Sequence, residues 1–258
     1  MKKKRGFTLI ELLVVIAIIA LLLSVIMPAL SKAKTYAEEI MCKSNMHQYH
    51  LATVMFVQEN SETFPDAHES LYKNYIDPKE TTNGWDRYCR WHNKGMNLES
   101  YSELAGPFWT YLAVTKANVC PTFNKLAKKD GAVHPSHNNN VPEFNVQFGY
   151  SMNWHLGGKK NGQIKNPSQT FVWAEENMWT LNGLTGYVLN DNALWIEPLG
   201  STGIRDNFGS FHKISKSQLN IQRDTRTYEN GLSNVLFLDG SSTFASPEDG
   251  QRFCGVKE

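Results

Sequence analysis

The sequence holds no CxxC pair, no HExxH, no GxSxG and no phosphate-binding glycine loop. Those absences remove the common zinc and thioredoxin-type signatures, the nucleophile elbow and the nucleotide cradle. Charge is sparse as well, at 20 % of residues, and no basic stripe runs through the body of the chain. That argues against nucleic acid as a partner. The formal net charge is +1, and taking away the four positive charges of Lys2, Lys3, Lys4 and Arg5 leaves −3 for the rest. The four cysteines, Cys42, Cys89, Cys120 and Cys254, are widely spaced. In an exported domain an even count favours disulfides, and three connectivities stay open.

The chain does have an ordinary globular composition with one long apolar run. Hydrophobic residues make up 41 % of 258 residues, enough for an anchor and one domain of about 200 residues. From Leu12 to Ser31 there are 20 residues without a formal charge. A helix of that length spans roughly 30 Å, the hydrocarbon thickness of a bilayer. The basic cluster precedes the run, so the positive-inside rule keeps the leader cytoplasmic and exports the remainder of the chain. An ordinary cleaved signal peptide would be shorter and end at a small-residue site. Here the run continues into the helix-forming stretch SKAKTYAEE. A plain signal anchor explains length and charge but not Glu11, a carboxylate inside the apolar segment that asks for a partner.

The string Gly6-Phe7-Thr8-Leu9-Ile10-Glu11, after a basic leader and before a long apolar helix, resembles the processing motif of type IV prepilins and type II secretion pseudopilins. The resemblance implies cleavage between Gly6 and Phe7 by a prepilin peptidase on the cytoplasmic face, and N-methylation of Phe7 by the same enzyme. Gly6 gives the protease a small, open backbone. Cleavage leaves a cationic amine on Phe7, and Glu11 lies about one helical turn further on. A neighbouring subunit shifted along the axis would set its Phe7 ammonium against this Glu11, neutralising both charges in an apolar bundle and fixing the stagger. Pro28, late in the run, removes one helical hydrogen bond and favours a bend. Family helices carry a proline near this point.

Beyond the run, Lys32–Gln58 contains no Gly or Pro and is rich in helix formers, so the helix is expected to reach about Glu59. Asn60, Ser61, Pro65 and Asp66 then end it. Gly106–Val114 and Asn118–Lys129 are the next helical candidates. Phe144–Tyr150, Thr170–Glu175, Tyr187–Leu189, Asn234–Leu238 and Thr243–Ala245 read as strands, the last two joined by the hairpin signal Asp239-Gly240. The expected fold is α+β: a pilin-like long N-terminal helix, its first half transmembrane, on a small antiparallel sheet domain with long loops. The organisation reads as a cleaved leader 1–6, a transmembrane half 7–30, an exported helical half 31–60 and a globular domain 61–258.

A second resemblance rests on Cys42-Lys43-Ser44-Asn45-Met46, Val119-Cys120-Pro121, Phe148-Gly149-Tyr150-Ser151-Met152-Asn153, Asn166-Pro167-Ser168 and Asn234 to Gly240 (NVLFLDG). These blocks look like the prepilin-type proteins with a C-terminal processing-associated domain, named for a His and a downstream Asp-Gly. They are common in Planctomycetes, Lentisphaerae and Verrucomicrobia and are often described as type II secretion G-like. The family places about nine residues between His and Asp-Gly, whereas Phe211-His212 stands 27 positions before Asp239 here, with residues 213–230 reading as an insertion. The resemblance implies a Cys42–Cys120 disulfide, both residues lying in family-like blocks, and leaves Cys89 with Cys254 by default; the alternative is that some are free and buried.

No catalytic site emerges, and the chain is not read as an enzyme. His134 and His137 form an HxxH in a Pro- and Asn-rich loop, and His47 and His50 stand three apart on the helix without a third ligand. Glu175, Glu176 and Asp239 are the carboxylates to consider. No cofactor is expected; some G-type pseudopilins hold calcium in a C-terminal loop, so the resemblance admits calcium, but no DxDxDG-like string occurs, and Asp239 reads more simply as a turn residue. Seven tryptophans are many for this length. Buried core positions account for them better than sugar stacking.

The expected role is therefore a structural subunit of a type II secretion pseudopilus or type IV pilus-like filament. Its partners are the prepilin peptidase, other pilin or pseudopilin subunits and the inner membrane, with the domain periplasmic and later in a filament. The alternative is a membrane-anchored extracytoplasmic binding protein, for polysaccharide for instance, using prepilin-type export.

Overall fold

The computed structural model describes residues 7–71, 105–112, 115–130, 148–176, 193–196, 206–214 and 231–255. The chain divides into two compact units, Met1–Ile40 and Met41–Glu258.

In the first unit, helix α1 (Leu9–Glu59) begins and runs unbroken through Pro28. Every residue from 7 to 30 is exposed. A stretch of Leu, Ile and Val with nothing of its own chain over it is unstable in water and needs an apolar surround. α1 is long and apolar enough to cross a membrane.

In the second unit the same helix turns amphipathic. Cys42, Asn45, Met46, Tyr49, Ala52, Thr53, Phe56 and Val57 are buried, the three- and four-residue spacing of one helical face. The helix ends at Glu59 in a Schellman arrangement, with the Glu62 amide donating to Val57 O at 2.9 Å. Ser61 takes the left-handed position, φ +56°, that glycine usually fills.

Five short strands make up the sheet: β1 (Tyr150–Asn153), β2 (Phe171–Glu175), β3 (Ala193–Leu194), β4 (Ser233–Phe237) and β5 (Ser242–Ala245). Their order across it is β3-β1-β2-β4-β5. Three pairings are antiparallel, but β3 runs parallel to β1. The sheet is therefore mixed, not purely antiparallel. The strand β2, which runs back between them in sequence, makes the return that a parallel neighbour needs.

The β4–β5 hairpin forms where Asp239-Gly240 predicts it. Asp239 Oδ1 accepts from the amide and hydroxyl of Ser241 at 2.9 and 2.6 Å, and Gly240 adopts φ +86° beside the His50 ring. The Ser241 bonds hold the Asp239 carboxyl below its usual range. Of the helical candidates, Pro107–Thr110 is a single 3-10 turn and Pro121–Asp130 is helix α2. Tyr187–Leu189 and residues 144–147 lie outside the described residues.

Strands β1 to β4 are buried on both faces. On one, Trp173 packs edge-on to Tyr49 and Phe108, and its indole N–H donates to Thr53 Oγ1 at 2.9 Å. On the other, Phe171, Phe208, Val235 and Phe237 pack with Cys254, which directly succeeds the short helix α3 (Gly250–Phe253). Two-sided burial explains why β2 and β4 lack a polar alternation. Trp173 is thus a core residue, as expected; Trp109 and Trp195 are half-buried, and Trp85, Trp91 and Trp179 lie outside the described residues.

Candidate functional site

The processing motif opens the first unit. Gly6 lies outside the described residues and Phe7 is exposed. Thr8 caps α1: its carbonyl accepts the Leu12 amide at 3.2 Å, and its hydroxyl accepts the Glu11 amide at 3.3 Å. In return Glu11 Oε2 accepts from the Thr8 amide and hydroxyl, both at 2.8 Å. This is a capping box, reciprocal satisfaction of the orphan amides at a helix start. Thr-Leu-Ile-Glu carries the S/T-x-x-E pattern, so a capping role for Glu11 is legible in the sequence beside its expected role between subunits.

The second unit gathers a different group. Cys42 Sγ, Cys120 Sγ, a Glu175 carboxylate oxygen and a His212 ring nitrogen lie within 4.8 Å of one another, all buried. Each comes from a different part of the fold. Cys42 is on the buried face of α1, Cys120 directly precedes α2, Glu175 ends β2, and His212 pairs with Leu232 just before β4. The two sulfurs are 2.7 Å apart. His212 Nε2 is 3.4 Å from Cys120 Sγ and 3.0 Å from Glu175 Oε1. The second carboxylate oxygen, Glu175 Oε2, accepts the Asn234 amide at 3.0 Å.

Burial shapes the charges of this group. It pushes the Cys120 thiol well above its usual value, and the contact with Cys42 adds to the effect. Burial works against charge on His212, but the adjoining Glu175 carboxylate outweighs it and raises the imidazole above its ordinary range. The Asn234 side-chain amide is buried with neither oxygen nor nitrogen hydrogen-bonded.

His212 stands 27 positions before Asp239 in the sequence. In the structure His212 and Leu232 exchange both backbone hydrogen bonds at 2.8 Å. The chain therefore leaves His212 and returns at its paired position, Leu232, directly before β4.

The other candidates stay apart. Glu176 is buried and takes the Ser151 hydroxyl at 2.5 Å, while Asp239 serves its turn; the two do not join Glu175 in a common group among the described residues. His47 is exposed and His50 half-buried. Cys254 donates to Gln251 O at 3.3 Å in the second core. Cys89, His134 and His137 lie outside the described residues.

No curated protein and no solved structure matches the chain. The family model described as the prokaryotic N-terminal methylation motif matches residues 1–27. That match and the single N-terminal apolar helix are consistent with a single-pass membrane anchor, and they support a type IV pilin-like chain, a substrate of the prepilin peptidase and a structural subunit.

Proposed function

We propose that this chain is a subunit of a type II secretion pseudopilus or type IV pilus-like filament, cut between Gly6 and Phe7 and methylated on Phe7. The observation that carries the reading is the methylation motif at residues 1–27 on a helix whose apolar residues 7–30 are all uncovered. Before assembly those residues sit in the inner membrane, with the leader cytoplasmic and the domain periplasmic. On assembly, neighbouring helices replace lipid around them, and Glu11 meets the Phe7 ammonium of the next subunit. Buried charges are tolerated when paired, which makes the pair a device for register.

Intact mass of the chain recovered from membranes tests the first step: loss of residues 1–6 with the gain of one methyl is expected, and an uncut start would refute the reading. Filament formation on overexpression tests the second. Glu11→Ala removes both the capping box and the intersubunit partner, whereas Thr8→Ala removes only the cap. Filaments lost in Glu11→Ala and kept in Thr8→Ala are expected; equal effects would reduce Glu11 to a helix cap.

A further inference from the structure

Four donors of three kinds converge at one buried point. Carboxylates and imidazoles buried to this degree are costly unless something binds them. His212 and Glu175 satisfy one another in part, through a single contact at 3.0 Å. That contact does not explain why two thiols share the same point, nor why the Asn234 amide beside it has no partner. Asn234 sits on the same face of β4 as Leu236, the face toward α1, and its own backbone amide holds Glu175. A buried polar group left unsatisfied beside a ligand cluster points to a missing occupant.

We propose that Cys42 Sγ, Cys120 Sγ, Glu175 Oε1 and His212 Nε2 form a closed tetrahedral site for one zinc ion. Tetrahedral zinc with bonds of about 2.0–2.3 Å sets N and O about 3.3 Å apart, S and N about 3.5 Å apart and two sulfurs about 3.8 Å apart. The observed N–O and S–N separations of 3.0 and 3.4 Å are already close. The sulfurs, at 2.7 Å, must part by about 1 Å on that geometry. Two thiolates with one imidazole and one carboxylate select a borderline-soft ion in tetrahedral geometry and disfavour calcium, which takes six or more oxygens. On binding, the two thiol protons and the proton on His212 Nε2 leave to solvent, the ring binds neutral, and no electron is transferred. The Asn234 backbone amide orients the carboxylate from outside, a feature of built metal sites.

With four protein ligands the ion has no open position, so the site is structural. It joins α1, the start of α2, β2 and the segment before β4 in a domain with few regular elements. The sequence hides it because its ligands are separated by 78, 55 and 37 residues, far from any zinc-finger spacing.

The competing occupant is a Cys42–Cys120 cystine, which would use neither Glu175 nor His212. The test is made on the full chain, purified in detergent under reducing conditions without chelator. Elemental analysis is expected to find one zinc per chain, and exchange into cobalt to give the d–d and thiolate charge-transfer bands of a tetrahedral site. Cys120→Ala and His212→Ala should each lose the ion and the cobalt spectrum. Where a variant does not fold, the wild-type stoichiometry and spectrum decide. A chain that binds no zinc, a Cys42–Cys120 linked peptide in material prepared without reductant, or zinc retained unchanged in both variants would each overturn the proposal.

Discussion

Ser61 occupies the left-handed position after α1 at φ +56°, and Glu62 comes next at φ +60°. A side chain there costs about 1–2 kcal/mol relative to its ordinary conformations. Glycine relieves that strain but gives the unfolded chain more entropy, which offsets part of the gain. Ser61→Gly is expected to stabilise the protein by about 0.5–1 kcal/mol, read as a higher thermal midpoint. At the other end of the same helix segment, His50 packs under the Gly240 turn. Burial lowers its pKa, the nearby His47 adds to this, and Asp239 opposes it. A depressed histidine prefers to bind its proton in the unfolded chain. Its contribution is complete above the unfolded value of 6.5 and is lost as pH falls through it. The thermal midpoint should therefore decline between about pH 7.5 and about pH 5.5, and less steeply in His50→Gln. Equal slopes would show that other groups carry the decline. The two residues differ in legibility. Ser61 was recognisable as a helix stop, but its backbone angle was not, because any residue can succeed a helix. His50 gave no signal, since its partner is more than 180 positions away.

At the level of elements, the features written locally were those the sequence revealed. α1 depends on composition over many residues, and the β4–β5 hairpin on two adjacent turn residues. Strand β3 is two residues long and parallel to β1, and no short-range pattern announces a partner reached across such a gap. The second core behind the sheet was hidden for the same reason, because α3 has only four residues. His212 shows the same limit: its pairing with Leu232, 20 positions on, has no local signal in the sequence. The pairing has an experimental consequence. Because the ladder is closed at His212 and Leu232, replacing residues 215–230 by a short Asn-Gly turn should leave the sheet intact, since loop-length changes cost only about 0.6 kcal/mol per doubling. Unchanged far-ultraviolet circular dichroism and a midpoint within a few degrees are expected; a collapse of the cooperative melt would show that residues 215–230 are part of the core.

For the whole molecule, the division of labour is between a segment that its own chain leaves bare and a domain with a complete core. No residue from 7 to 30 is buried, and the first buried position on α1 is Cys42. A chain starting at Ser31 loses no buried side chain. It should be monomeric in detergent-free buffer and melt cooperatively, whereas the full chain should need detergent or lipid. Size-exclusion chromatography with light scattering distinguishes the two, and aggregation of the shortened chain would place essential contacts in the removed segment. The anchor and its motif were fully legible, since length, apolarity and the order Gly-Phe-Thr-Leu-Ile-Glu are linear properties. The Cys42, Cys120, Glu175 and His212 group was not, because folding alone brings it together. The paired exit and return at His212 and Leu232 also offers a practical handle. A peptide epitope or a small fluorophore-binding tag spliced between them would be carried once per subunit, so that in the proposed filament it would mark the fibre at regular intervals.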